Sequence, residues 1–129
     1  MITTSEVQDQ KTFGSMDLCE LTGMTYRQLD YWCRTGLIEA SIYSPPTSGK
    51  SRVFSEDDLW FASIVKKMLN IGISLQRIRE AAEPLRGRRE ECCGKLFVLG
   101  ETGGVVLQDV SEVVDFLTSN PEPTWVMPL

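Results

Sequence analysis

The sequence predicts a mainly α fold of four helices and one hairpin, followed by a small α+β appendage. Three observations carry this. Apolar residues recur at three-to-four spacing over most of residues 15–86, the spacing that lines one face of a helix. One interruption, Ser41 to Phe54, holds Pro45-Pro46 and Gly49 between β-prone Ile42-Tyr43 and Val53-Phe54, which no helix accommodates. Beyond residue 94 the pattern changes to short apolar runs split by glycines. At 129 residues, with 42% hydrophobic and 24% charged residues, the chain has room for one ordinary domain or two very small ones.

The elements follow in order. Residues 1–14 are polar and lack the layout of a secretory signal; they read as a flexible N-terminal arm on a cytoplasmic protein. No run of 18 apolar residues exists, so no membrane partner is expected. A first short helix is expected from Ser15 as N-cap to Thr22-Gly23, with Leu18 and Leu21 on one face. Thr25 and Gln28 fit the capping-box pattern T-x-x-Q and predict a second helix over 25–35, closed by Gly36. Leu29, Trp32 and Cys33 form its buried face, which turns Tyr26, Arg27, Asp30, Tyr31 and Arg34 toward the other side. Two short helices joined by a glycine-containing turn make a helix-turn-helix unit. Its second helix is then expected to enter the major groove of double-stranded DNA with its N-terminal residues at the base edges.

Residues 41–54 then read as a hairpin wing with a polar, basic tip. Tyr43 lies on its first arm, and Lys50 and Arg52 are placed to reach phosphates, where charge matters and sequence does not. A third helix opens at Ser55, with Glu56, Asp57 and Asp58 favouring the positive end of its dipole, and stops at Gly72. A fourth starts from Ser74 and carries Leu75, Ile78, Ala82 and Leu85 on one stripe. Arg77, Arg79, Arg86, Arg88 and Arg89 nearby read first as a solvated charged face. A domain over 15–90 is thus followed by a small module over 91–129. There Lys95 to Leu99 and Val105 to Leu107 predict a β-hairpin around Gly100-Glu101-Thr102-Gly103-Gly104. Asp109 and Glu112 open a last helix with Val113, Phe116 and Leu117 on its apolar side, and Trp125 to Met127 add a short strand.

Charge and cysteine content narrow the function. Residues 15–92 carry 11 basic and 11 acidic residues, whereas residues 93–129 carry one lysine against five acids. The net charge of −5 therefore belongs mostly to the C-terminal module. A neutral domain still binds DNA if its bases cluster on one face, and an acidic appendage limits non-specific binding. Cys19, Cys33, Cys92 and Cys93 include no CxxC pair, and the chain has no histidine, so the usual zinc spacings are absent within one chain. No cofactor is expected. Cys19 and Cys33 read as small buried thiols. Vicinal Cys92 and Cys93 read first as adjacent reduced thiols, and second as a redox or soft-metal sensor completed by a partner chain. With no GxSxG, P-loop or HExxH, the sequence offers nothing for an enzyme.

Residues 15–86 resemble the DNA-binding domain of the MerR family of bacterial regulators. The resemblance rests first on Thr22-Gly23-Met24-Thr25-Tyr26-Arg27-Gln28-Leu29-Asp30-Tyr31-Trp32 and Gly36-Leu37-Ile38. It continues through Arg52-Val53-Phe54-Ser55, Asp58-Leu59, Ile64, Leu69 and Gly72-Ile73-Ser74-Leu75-Gln76-Arg77-Ile78. It implies a winged helix-turn-helix. Arg27 stands at the family's recognition-helix arginine, Thr25 and Tyr26 lie against DNA at the helix start, Tyr31 matches the first aromatic of its pair, and Arg52 matches the wing arginine. Trp32 replaces the second aromatic and belongs to the core. Asp30 departs from the arginine common at its position: a carboxylate there orients Arg27 or Arg34, or accepts from a cytosine amino group.

Tyr26 to Trp32 and the C-terminal segment are similar to an actinobacterial branch of MerR-like regulators, which implies a dimerisation or sensing role for 91–129. The expected protein is a cytoplasmic, nucleoid-associated homodimer on a palindromic promoter site. The resemblance adds DNA distortion and RNA polymerase as a further partner. A phage-type excisionase or architectural DNA-bending protein is the alternative.

Overall fold

A computed structural model describes residues 11–45, 51–101, 103–120, 122 and 124–129. The chain divides into two compact units, Met1–Ile71 and Gly72–Leu129.

In the first unit, β1 (Thr12–Gly14) leads into α1 (Ser15–Thr22), α2 (Tyr26–Arg34), β2 (Val53–Ser55) and α3 (Glu56–Asn70). Of the flexible arm expected over 1–14, Thr12–Gly14 form strand β1 instead, and residues 1–10 lie outside the described residues. The strand pairs antiparallel with β2, Thr12 opposite Ser55, Phe13 opposite Phe54 and Gly14 opposite Val53. Phe54 is fully buried, and an aromatic cross-strand partner for it gives three otherwise signal-poor residues a reason to order. The first helix is also capped one residue earlier than expected: Gly14 is the N-cap, its N–H donating to Asp17 Oδ2 at 2.9 Å, while Ser15 is buried inside the helix.

The other caps of this unit follow the sequence. Thr25 Oγ accepts from the Gln28 N–H at 3.1 Å, and Gln28 Oε1 accepts from the Thr25 N–H at 3.1 Å. Past the end of α2, Gly36 takes φ 83°, and the N–H groups of Leu37 and Ile38 both reach the Trp32 carbonyl, at 2.9 and 3.2 Å. That turn drives Leu37 and Ile38 into the core, where they join Leu18, Leu29, Trp32, Phe54, Ile64, Val65 and Met68. The helix α1 packs against both α2 and α3. Full burial of such side chains contributes about 1.5–3 kcal/mol each before the entropy of ordering is set against it.

The second unit begins with α4 (Leu75–Ala82), capped by Ser74 and continued by a 3₁₀ turn over Glu83–Leu85 that contains Pro84. A single turn, α5 (Arg89–Cys92), precedes β3 (Leu96–Gly100), β4 (Gly103–Leu107), α6 (Val110–Ser119) and β5 (Trp125–Pro128). The strands form an antiparallel sheet in the order β4-β3-β5. Val98 lies opposite Val105 on one side and Val126 on the other, and Phe97 opposite Val106 and Met127. The central strand is the buried one: Phe97, Val98 and Leu99 are each 1% exposed.

The fourth helix therefore lies in a different compact unit from the three helices it follows in sequence. Its apolar stripe, Ile78, Ala82 and Leu85, is buried, and α4 packs against β4. Arg77 donates from Nη2 to the Gly100 carbonyl and lies over the Trp125 ring, 5.7 Å from its centroid. Among the described residues no helix is long and apolar enough to cross a membrane.

Candidate nucleic-acid interface

The capping box fixes where α2 starts, and with it which residues face outward. Leu29 and Trp32 point inward and are buried. Arg27, Tyr31 and Arg34 follow one another at i, i+4 and i+7, so they share a face, and all three are exposed. Tyr26 is 36% exposed at the first turn and Tyr31 47%. The surface thus alternates guanidinium and aromatic groups. Thr25 and Gln28 stand beside it but hold each other in the cap, and Gln28 is half-buried.

Behind this face runs an ion triad. Asp30 Oδ2 meets Arg34 Nε at 3.0 Å, and Asp30 Oδ1 meets Arg52 Nη2 at 3.1 Å. Of the two carboxylate roles open from the sequence, orienting Arg34 is the one this geometry matches. Arg52 sits differently from the phosphate-facing position the sequence suggests: it is 8% exposed, with its guanidinium turned onto Asp30. Its Nη1 is buried without a hydrogen-bond partner among the described residues.

Tyr43 is 51% exposed and bridges Val53 antiparallel. Its N–H donates to the Val53 carbonyl at 3.1 Å, and the Val53 N–H returns a bond to the Tyr43 carbonyl at 2.9 Å. Lys50 lies outside the described residues. Two residues that sequence reasoning missed join the two roots of this segment. Ser41 donates to Asp58 Oδ2 from its N–H at 2.9 Å and from its hydroxyl at 2.6 Å. The S-x-x-D cap of Ser55 and Asp58 was a local signal for half of this cluster; Ser41 is distant in sequence and carried none.

The thiols are placed unevenly. Burial pushes the Cys33 thiol up from 9.0 to about 11, Arg52 opposing and Asp30 and Asp58 adding to the rise; burial also raises Cys19. Neither is a ready thiolate at neutral pH. Of the vicinal pair, Cys92 is buried and Cys93 exposed. An open cleft of about 460 Å³, lined by Gly14, Ser15, Met16, Asp17 and Tyr26, lies where α1 and α2 begin.

Residues 15–84, more than half of the chain, match the family described as MerR HTH family regulatory protein. The chain belongs to the MerR HTH family. This matched stretch contains the capping box, the Arg27–Tyr31–Arg34 face and the Asp30 triad. Three relatives are each 43% identical over 101 residues: one from Mycobacterium bovis and two from strains of Mycobacterium tuberculosis. Each carries the name of an uncharacterized HTH-type transcriptional regulator. The aligned stretch is 77% of this MerR-family chain and 44% of each relative, so the chain spans less than half of their length.

Proposed function

We propose that this MerR-family chain is a sequence-specific DNA-binding transcription regulator with a winged helix-turn-helix. In this reading α2 enters the major groove and the segment around Tyr43 and Val53 is the wing beside it. The observation that carries it is the exposed Arg27–Tyr31–Arg34 face, set directly opposite the buried Leu29 and Trp32. Guanidinium groups on an outward helix face suit both phosphate and the O6/N7 edge of guanine. Thr25, Tyr26, Gln28, Tyr43 and Lys50 belong to the same DNA surface, with Asp30 and Arg52 between the helix and the wing. The regulator names of the relatives support a promoter as the target.

The chain acts as a homodimer on a palindromic site, so that two recognition helices meet successive major-groove faces. Residues 15–90 supply the DNA contacts and residues 91–129 the dimerising or sensing module. Distortion of the site then alters how RNA polymerase engages the promoter.

Selection of bound duplexes from a random pool tests the reading directly, since an enriched palindrome reports both specificity and the dimer. Arg27→Ala should cut the preference for the selected duplex over a scrambled one by about 1–3 kcal/mol if Arg27 reads a base. An unenriched pool would overturn the proposal, and an unchanged preference would remove Arg27 from base reading.

A further inference from the structure

We propose that Asp30 and Asp58 are positioning residues that fasten the two roots of the wing, and that Arg52 acts through Asp30 and not by touching phosphate. This rests on the DNA-binding reading above for its consequence, though its geometry stands alone.

The incoming root is held by Asp58. Its Oδ2 accepts from the N–H and hydroxyl of Ser41 and from the Ser55 N–H at 2.9 Å, while the Asp58 N–H donates to Ser55 Oγ at 3.1 Å. Ser41 Oγ also lies 3.2 Å from Ser55 Oγ. One carboxylate thus caps α3 and pins the chain where the wing leaves the core. The outgoing root is held by Asp30, through the buried Arg52. Between the two anchors, Val53 accepts from the N–H groups of Ile42 and Tyr43 and donates to Tyr43. The hairpin is closed at both feet, one on the start of α3 and the other on α2 itself.

Charge decides what Arg52 does. An acid on a DNA-facing helix would repel phosphate if it stood alone. Here one guanidinium occupies each oxygen of Asp30, so the triad carries one net positive charge, presented at the 67%-exposed Arg34 side chain. Turning Arg52 toward phosphate would break the ion pair of this buried guanidinium and leave Asp30 with Arg34 alone. Arg34 therefore supplies the charge that DNA meets, and Asp30 with Arg52 sets the angle between wing and recognition helix.

Two measurements on the full chain separate this from a phosphate contact. The first is amide hydrogen exchange of Tyr43 and Val53 without DNA, in the parent, Asp30→Asn, Arg52→Gln and Asp58→Asn. Each variant should exchange these amides at least tenfold faster, while amides of Leu29 and Ile64 stay protected. Asp30→Asn strands the buried Arg52 charge, so the double variant Asp30→Asn with Arg52→Met guards against misfolding by removing both. The second is the slope of log affinity against log salt for the selected duplex. Loss of a phosphate contact lowers that slope by about 0.9. The double variant, which leaves the triad's one net positive charge on Arg34, should instead keep the parent slope and weaken selected and scrambled duplexes by a similar factor. A slope reduced by about 0.9 with Val53 exchange unchanged overturns the proposal. So does unchanged exchange in a folded Asp30→Asn or double variant. If the parent enriches no duplex, the DNA-binding reading fails, and the exchange data still decide the fastening.

Discussion

A single methyl group at Gly104 tests the packing of the second unit. Built on the backbone, the added Cβ would stand 2.2 Å from Phe97 Cζ, 2.6 Å from Cε1 and 3.2 Å from Cε2. Carbon pairs settle at about 3.5–4.0 Å, so the ring must retreat by more than about 1 Å. It has little room, being 1% exposed and flanked across the sheet by Val106 and Met127. Gly104 does not take a positive φ, so the cost is one of space alone. Overpacking costs about 1–3 kcal/mol, and a shortfall this large places Gly104→Ala in the upper half of that range. In a unit of this size each kcal/mol moves the midpoint by about 4–8 °C, so Tm should fall by roughly 8–24 °C. Thermal unfolding followed by near-UV circular dichroism would report it. The stronger measurement is a cycle with Phe97→Leu, which removes the ring atoms that the methyl meets. Alone it should cost about 1–2 kcal/mol, and the double variant should be less destabilised than the sum of its parts by at least about 1 kcal/mol. A Gly104→Ala protein within about 0.5 kcal/mol of the parent, or strict additivity in the cycle, would refute the reasoning.

Two further outcomes follow from the first unit. Thr25→Ala should destabilise it by about 1 kcal/mol and Thr25→Ser by much less, because only the hydroxyl is needed to accept the Gln28 N–H; denaturant midpoints for the three proteins check this. Cys33, whose pKa rises from 9.0 to about 11 on folding, favours the folded state fully below pH 9 and progressively loses that contribution up to about pH 11. The parent should therefore lose more stability than Cys33→Ser between pH 8 and pH 10.5, and equal losses in the two proteins would show that the thiol is not desolvated.

What could be read from the sequence was what is decided locally. The caps at Thr25, Ser55, Ser74 and Asp109 form between residues three apart, so their chemistry is written in consecutive letters. The hairpin over Leu96–Gly100 and Gly103–Leu107 was equally legible, because two short apolar runs met at a glycine-rich turn. Three residues reading Thr-Phe-Gly carry no period, and β1 exists only because β2, far along the chain, offers Phe54 an edge. Arg52 misleads for the same reason. An arginine in a polar stretch reads as exposed, and only the fold brings the Asp30 carboxylate to it. At the candidate interface, the exposed face of α2 followed from its helical period, whereas the Ser41–Asp58 contact depended on a tertiary approach that no local pattern encodes.

The break at Ile71 and Gly72 bears on how this chain is taken apart for study. Family likeness runs on to residue 84, but packing changes allegiance at residue 72. A fragment trimmed to the matched stretch would keep α4 while discarding β4, the Gly100 carbonyl and the Trp125 ring on which it rests. Its last helix would then lack its supports, and weak behaviour of that fragment would say nothing about the intact chain. A cut after Ile71, or no cut, respects the joints that the molecule itself has.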